Sequence, residues 1–145
     1  MILYIVSACL AGIKCRYDGK DNGDEKIIQL VKEGKAIPVC PEVFGGLPIP
    51  RVPCEIVLDD KGNIKVINKE GADCTENFKE GAKKTLVIAE ILGVDTAILK
   101  SKSPSCGCGK IYDGTFSGKL VEGDGVAAKF LTENGIKVYN EDNYK

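Results

Sequence analysis

The sequence predicts an α/β fold, a mainly parallel sheet flanked by helices on both faces in the Rossmann-like manner, with one hairpin excursion. Three observations predict it. Short apolar runs alternate with segments of helical periodicity, the runs are rich in β-branched residues and lack the polar alternation of a half-exposed sheet, and glycines stand at the joins. At 145 residues the chain is read as a single domain, residues 1–145, able to bury about two-thirds of the surface its unfolded form exposes.

Residues 2–7 (I-L-Y-I-V-S) form the first predicted strand, which breaks at the Ala8-Cys9-Leu10-Ala11-Gly12 segment. After a polar loop at 16–23, residues 24–33 carry Ile27, Leu30 and Val31 at helical spacing, with acidic residues in the first turn and Gly34 placed to end the helix. A second strand is predicted at 35–40, weakened by Pro38, which has no ladder donor. Residues 41–53 hold Pro41, Pro48, Pro50, Pro53 and the Gly45-Gly46 pair, the composition of an ordered, irregular loop. Two β-rich runs at 55–59 and 64–68 flank a four-residue turn and predict the hairpin.

Asp73 and Glu76 read as a capping box that opens a long helix, its apolar positions Phe78, Ala82, Leu86 and Ala89 continuing until Gly93. Residues 96–99 (T-A-I-L) are a third apolar strand. The following segment, 100–118, has no regular pattern of its own, and a loop of that length in a compact domain is usually functional. A last helix at 125–134 with Gly135 just beyond it, and a last strand at 136–139, complete the chain.

Charge and composition narrow the function. Lys and Arg number 20 against 21 Asp and Glu, a net charge of −1, which argues against a nucleic-acid duplex as partner because such binding rests on broad phosphate neutralisation. The apolar run at 1–6 is too short for a signal sequence or a membrane span and has no basic flank, so a cytoplasmic protein with no membrane contact is expected. The chain contains no histidine, which excludes Ser-His-Asp triads, Cys-His pairs and His-bound zinc or iron sites; acid and base work falls to Glu, Asp, Lys, Tyr, Cys or water. It contains seven cysteines. An odd number without a secretory signal points away from a disulfide framework and towards buried thiols, a metal or cluster site, or a reactive thiolate.

Three cysteines fall just beyond the carboxyl end of a predicted strand: Cys9 after the first, Cys40 at the end of the second and Cys106 in the loop after the third. Parallel strands aim these loops at one crevice, where ligands of such sheets bind. Three convergent thiolates suit a soft metal or an iron–sulfur cluster. A structural zinc is the competitor, although the close pairs Cys9/Cys15 and Cys106/Cys108 do not have paired zinc-knuckle spacing. Cys54 and Cys74 read as core filler, and Cys15 and Cys108 stay open between ligand, resolving thiol and bystander. Arg16 and Arg51 are the only arginines, both in these loops, and with Lys100 they are candidates for anion recognition; a structural role, tying Asp18 or Glu55 to the loop, competes equally.

The blocks S-A-C-L-A-G-I-K-C-R-Y-D-G (7–19), V-C-P-E-V-F-G-G-L-P-I-P-R (39–51) and A-I-L-K-S-K-S-P-S-C-G-C-G-K-I-Y-D-G-T-F-S-G (97–118), with the linking G-A-D-C-T (71–75) and the closing G-D-G-V-A-A (123–128), closely resemble the thiouracil desulfidase (TudS) family nearly end to end. The resemblance implies a [4Fe-4S] cluster bound through three cysteines, here Cys9, Cys40 and Cys106. It implies removal of sulfur from a small thiolated pyrimidine or nucleotide, 2-thiouracil or 4-thiouridine monophosphate. Glu42 and Ser103 match its catalytic positions, and the nearby Ser101 and Ser105 keep the assignment of the serine open. Arg16, Arg51, Lys100, Ser101 and Ser105 are the expected substrate-binding residues. Chemically, an open iron is a soft Lewis acid and a thiocarbonyl sulfur a soft donor, so water activated by Glu42 would attack the iron-held thiocarbonyl and release hydrogen sulfide. Two other classes compete: a thiol-based sulfur carrier with Cys108 as resolving partner, and a non-catalytic metal- or nucleotide-binding module.

Overall fold

The structure, a computed structural model, describes residues 1–144. Its centre is a four-stranded sheet in the order β2-β1-β5-β8, built from β1 (Tyr4–Ser7), β2 (Ala36–Val39), β5 (Thr96–Leu99) and β8 (Lys137–Asn140), and each adjacent pair is parallel. The alternation along the strands sorts the two faces. Ile5, Ala97 and Leu99 point into one apolar cluster with Ala89 of α3 (Thr75–Leu92) and Ala128 and Leu131 of α4 (Val126–Glu133), whereas Val6 and Ile98 point into the other with Ile27 of α1 (Glu25–Lys32). Helices therefore cover both faces, as expected, and β1, β2 and β5 are mainly apolar on both sides of the pleat, whereas the edge strand β8 exposes Lys137 and Tyr139.

The helix ends follow local chemistry. Asp24 caps α1, its carboxylate accepting the N–H groups of Lys26 and Ile27. The expected capping box of α3 does not close. Cys74 occupies the cap, Asp73 accepts the N–H of Thr75 at 2.8 Å, and Glu76 lies out in solvent towards Lys79. Gly93 then ends α3 in the left-handed conformation.

Two regions read as irregular contain regular elements. Pro41–Phe44 forms a one-turn helix, α2, with Pro41 at its first position, where the missing N–H leaves no bond unmade. The segment at 100–118 contains β6 (Lys110–Tyr112), which pairs antiparallel with β7 (Leu120–Glu122). Strands of three residues carrying one buried apolar side chain, Ile111, leave no periodicity to read. The predicted hairpin is present as β3 (Cys54–Leu58) and β4 (Ile64–Asn68). Beneath it lies a third cluster containing Ile56, Val66, Cys74, Phe78 and Ile111.

The sheet order places a topological switch point at β1. The chain runs from β1 to β2 on one side and to β5 on the other, and the crevice at the carboxyl ends of β1 and β5 is where this architecture binds ligands.

Candidate active site

A cavity of about 550 Å³ opens there. Cys9 reaches its wall from the 3₁₀ turn that follows β1, Ala8–Ala11. Cys40 caps α2 directly after β2, and Cys106 sits in the loop after β5. The three strand-end cysteines thus share one cavity. Among the described residues, no three Cys, Asp or Glu side chains close on one point as ligands of a single ion.

The position of α2 depends on two glycines. A Cβ on Gly81 of α3 would stand 1.8 Å from the carbonyl oxygen of Pro41, and one on Gly45 would stand 1.9 Å from that of Asn77. With hydrogens there instead, α2 seats directly on α3. Asn77 fastens the contact by donating to the Gly45 carbonyl at 2.8 Å. This packing delivers Cys40 and Glu42 to the cavity.

Glu42 lies on the first turn of α2, and its Oε2 is 3.0 Å from Nη2 of Arg51. Arg51 is committed to the protein. Its Nη1 donates to the carbonyls of Cys15 at 3.1 Å and Pro48 at 3.2 Å, and only 7% of the side chain is exposed. The carboxylate it pairs with is Glu42, neither Asp18 nor Glu55. Burial pushes the Glu42 carboxyl above the ordinary glutamate range, and the Arg51 charge and hydrogen bond pull only part of the way back. Arg16 does pair with Asp18, at 3.2 Å, and also donates to Asn22 at 2.8 Å.

The loop after β5 is pinned at both ends. The Lys100 N–H donates to Ser7 Oγ at 2.8 Å. Lys100 Nζ lies 2.9 Å from Oε2 of Glu141, a carboxylate that also accepts the Ser101 N–H and hydroxyl, each at 2.9 Å. At the other end, Ser103 Oγ accepts the N–H groups of Ser105 at 3.1 Å and Cys106 at 3.0 Å. A hydroxyl with two lone pairs so occupied retains its proton to donate. Ser103, Lys100 and Ser101 all line the cavity.

Ser105 does not. It is wholly buried, its hydroxyl has no partner among the described residues, and its carbonyl accepts the N–H groups of Ala127 and Ala128 in the first turn of α4. The expectation that it contacts substrate is corrected on that ground. Cys54, expected outside the site, lines the cavity, whereas Cys74 belongs to the core beneath the hairpin. Cys15 also lines the cavity. Cys108 does not line it; its thiol lies 3.9 Å from the Val138 carbonyl.

The thiols differ in acidity. Burial raises Cys106 well above the ordinary thiol range, with the Glu42 charge adding to it and a Ser7 hydrogen bond opposing. Burial also raises Cys9, against a hydrogen bond from Asn22. Cys40 is lowered, chiefly by a hydrogen bond from Cys15. Buried thiols that resist ionisation are poor free nucleophiles, and they become thiolates when a cation binds them.

Sequence reasoning missed the places of Ser7, Asn22 and Glu55, which line the cavity, and of Glu141, which holds Lys100 and Ser101. It also passed over the aromatic wall of Tyr17, Tyr112 and Phe116, although the repeated Tyr-Asp-Gly at 17–19 and 112–114 marks two of its members.

Residues 4–143 match the family described as 2-thiouracil desulfurase. The chain belongs to that family. It is 46% identical over 144 residues to the uncharacterized protein YbbK of Bacillus subtilis strain 168, covering 96% of this chain and 95% of that protein. A solved structure of a [4Fe-4S]-dependent thiouracil desulfidase, TudS, superposes with a TM-score of 0.89 at 41% identity, over 98% of this chain and 92% of the other. The shared family covers the strands, the three strand-end cysteines and the loops that carry Glu42 and Ser103.

Proposed function

We propose that this chain is an iron–sulfur-dependent desulfidase: it hydrolyses the C–S bond of a small thiolated uracil, 2-thiouracil or 4-thiouridine monophosphate, to the carbonyl compound and hydrogen sulfide. The observation that carries the reading is that three thiols from three strand-end loops share a cavity with a carboxylate clamped by a buried arginine. Cys9, Cys40 and Cys106 would hold a [4Fe-4S] cluster. Their donor atoms are soft, as a cluster's irons require, and three thiolates would each take one iron and leave the fourth without a protein ligand. When bound with three protein ligands, such a cluster supplies a soft Lewis-acid iron suited to a thiocarbonyl sulfur.

The protein's part is proton handling and placement. Glu42 Oε1 is left free by the Arg51 clamp on Oε2 and takes a proton from water as that water attacks the thiocarbonyl carbon. Its raised proton affinity suits it to return that proton to the departing sulfur. Ser103 donates its hydroxyl proton to a pyrimidine oxygen or nitrogen that gains charge during the attack. Arg16 and Lys100 line the cavity already paired with carboxylates, Asp18 at 3.2 Å and Glu141 at 2.9 Å, so a nucleotide phosphate would bind there by competing with those partners. Water in and hydrogen sulfide out balance the reaction without electron transfer. Seven thiols, none paired in a disulfide, suit a reducing compartment, the cytoplasm.

The test is to purify the protein without oxygen and measure iron, acid-labile sulfide and the visible spectrum alongside sulfide release from 2-thiouracil. About four irons per chain are expected, lost in Cys9→Ala, Cys40→Ala and Cys106→Ala and kept in Cys54→Ala, with Glu42→Gln retaining iron but not turnover. A colourless, iron-free protein that still releases sulfide through Cys40 and Cys15 would replace the cluster enzyme with a thiol relay.

A further inference from the structure

Among the described residues, two that are not glycine adopt a positive φ, Lys102 at 68° and Phe116 at 57°, and both line the cavity. For a bulky aromatic residue the left-handed conformation is unfavourable and persists only where its surroundings impose it. Here they do. The loop between β6 and β7 is held from below by Glu55, a buried carboxylate of β3 whose Oε1 accepts the N–H groups of Gly114 at 2.9 Å and of Phe116 at 3.2 Å. Gly114 presses on the same strand so closely that a Cβ would stand 2.8 Å from the Ile56 carbonyl. Asp113, Thr115 and Ser117 brace the loop through their side chains, Thr115 Oγ1 lying 2.6 Å from each of the other two.

So rigid a mount does not serve the core. Phe116 is half-buried and belongs to none of the three apolar clusters. Tyr17, another aromatic of the cavity lining, already carries the Arg16 guanidinium 5.6 Å from its ring centre. We infer that Phe116 is the stacking platform for the substrate's pyrimidine ring and that Glu55 is the residue that positions it. The platform rests on the desulfidase reading for its substrate class. It reads the flat ring common to thiouracil and uracil, so it acts on binding and orientation rather than on proton transfer.

The experiment measures uracil binding by calorimetry, KM and kcat for 2-thiouracil, and thermal unfolding, in the cluster-loaded wild type and in Phe116→Gly, Phe116→Leu and Phe116→Tyr. Phe116→Gly relieves the left-handed backbone while removing the ring, so its melting temperature should hold or rise as uracil Kd and KM rise roughly ten- to a hundredfold. Phe116→Leu keeps apolar bulk without a flat face and should lose binding similarly; Phe116→Tyr should bind as wild type. Unchanged uracil affinity in Phe116→Gly and Phe116→Leu overturns the platform. Wild-type protein that binds uracil through Phe116 but releases no sulfide overturns the desulfidase reading alone, and sulfide release with a KM that Phe116→Gly and Phe116→Leu leave unchanged overturns the platform alone.

Discussion

Arg51 Nη2 lies 3.0 Å from Glu42 Oε2, and 7% and 16% of the two side chains are exposed. A buried pair of this kind is strongly destabilising to break from one side, because the surviving charge stays out of water. Arg51→Met should therefore lower unfolding free energy by roughly 3 kcal/mol, while Arg51→Met combined with Glu42→Gln should recover much of it. Activity should stay absent in both. Denaturant titration of the double-mutant cycle checks this, and purely additive losses would show that the pair is not energetically coupled.

Ser103 combines two jobs that a substitution can separate by size. Its oxygen caps the N–H groups of Ser105 and Cys106, a role whose loss costs about 1 kcal/mol. Its proton is assigned to the substrate. Ser103→Ala should lose that modest stability and at least about a hundredfold in kcat, the scale of a removed transition-state donor, whereas Ser103→Thr should keep most of both. A kcat loss no larger than the stability change would reduce Ser103 to a cap.

Gly81 tests whether the seating of α2 matters. Replacing a solvent-facing helical glycine with alanine usually stabilises by about 1 kcal/mol. Here the added methyl meets the Pro41 carbonyl carbon at 2.7 Å and its oxygen at 1.8 Å, so Gly81→Ala should instead destabilise by about 2–3 kcal/mol. Displacing α2 also moves Cys40 and Glu42, and iron content should fall with stability. Thermal unfolding and iron analysis read the two effects; a stabilised variant with full iron would mean that α2 adapts freely.

Sequence alone reached the architecture because strands buried on both faces announce themselves: Ile5, Val6, Ala97, Ile98 and Leu99 are apolar on both sides of the pleat. The loops after those strands then had to meet, which is why Cys9, Cys40 and Cys106 could be grouped before any coordinates. What sequence could not supply was pairing between side chains of unrelated segments. Whether Arg51 faces Glu42, Glu55 or a phosphate depends on where two loops cross, and Glu42 is placed by the close approach of α2 to α3 at Gly45 and Gly81. Glu55 and Glu141 lie on a strand and a turn with no motif, and each acts by accepting backbone N–H groups of a loop far away in sequence. Ser105 looked like its neighbours Ser101 and Ser103, and only its burial against the start of α4 sets it apart.

Glu141 ties the turn after β8 to the loop that carries Ser103 and Cys106, holding Lys100 and Ser101 at once. Burial alone would raise its carboxyl, but hydrogen bonds from its own N–H, from Lys100 and from Ser101 outweigh burial and leave it below the ordinary glutamate range. A carboxyl depressed on folding contributes stability that is fully present above its unfolded value, about 4.3, and is lost as pH falls through the lower folded value. The stability gap between wild type and Glu141→Gln should thus be constant near neutrality and close as the pH drops below about 4.3. Matched denaturant titrations of the two proteins from pH 7 down to pH 3.5 measure it, both carrying the same cluster so that its own acid sensitivity cancels. A gap that stays constant over that range would mean that Glu141 holds the loop by shape, since its charge would then make no difference to the bond with Lys100.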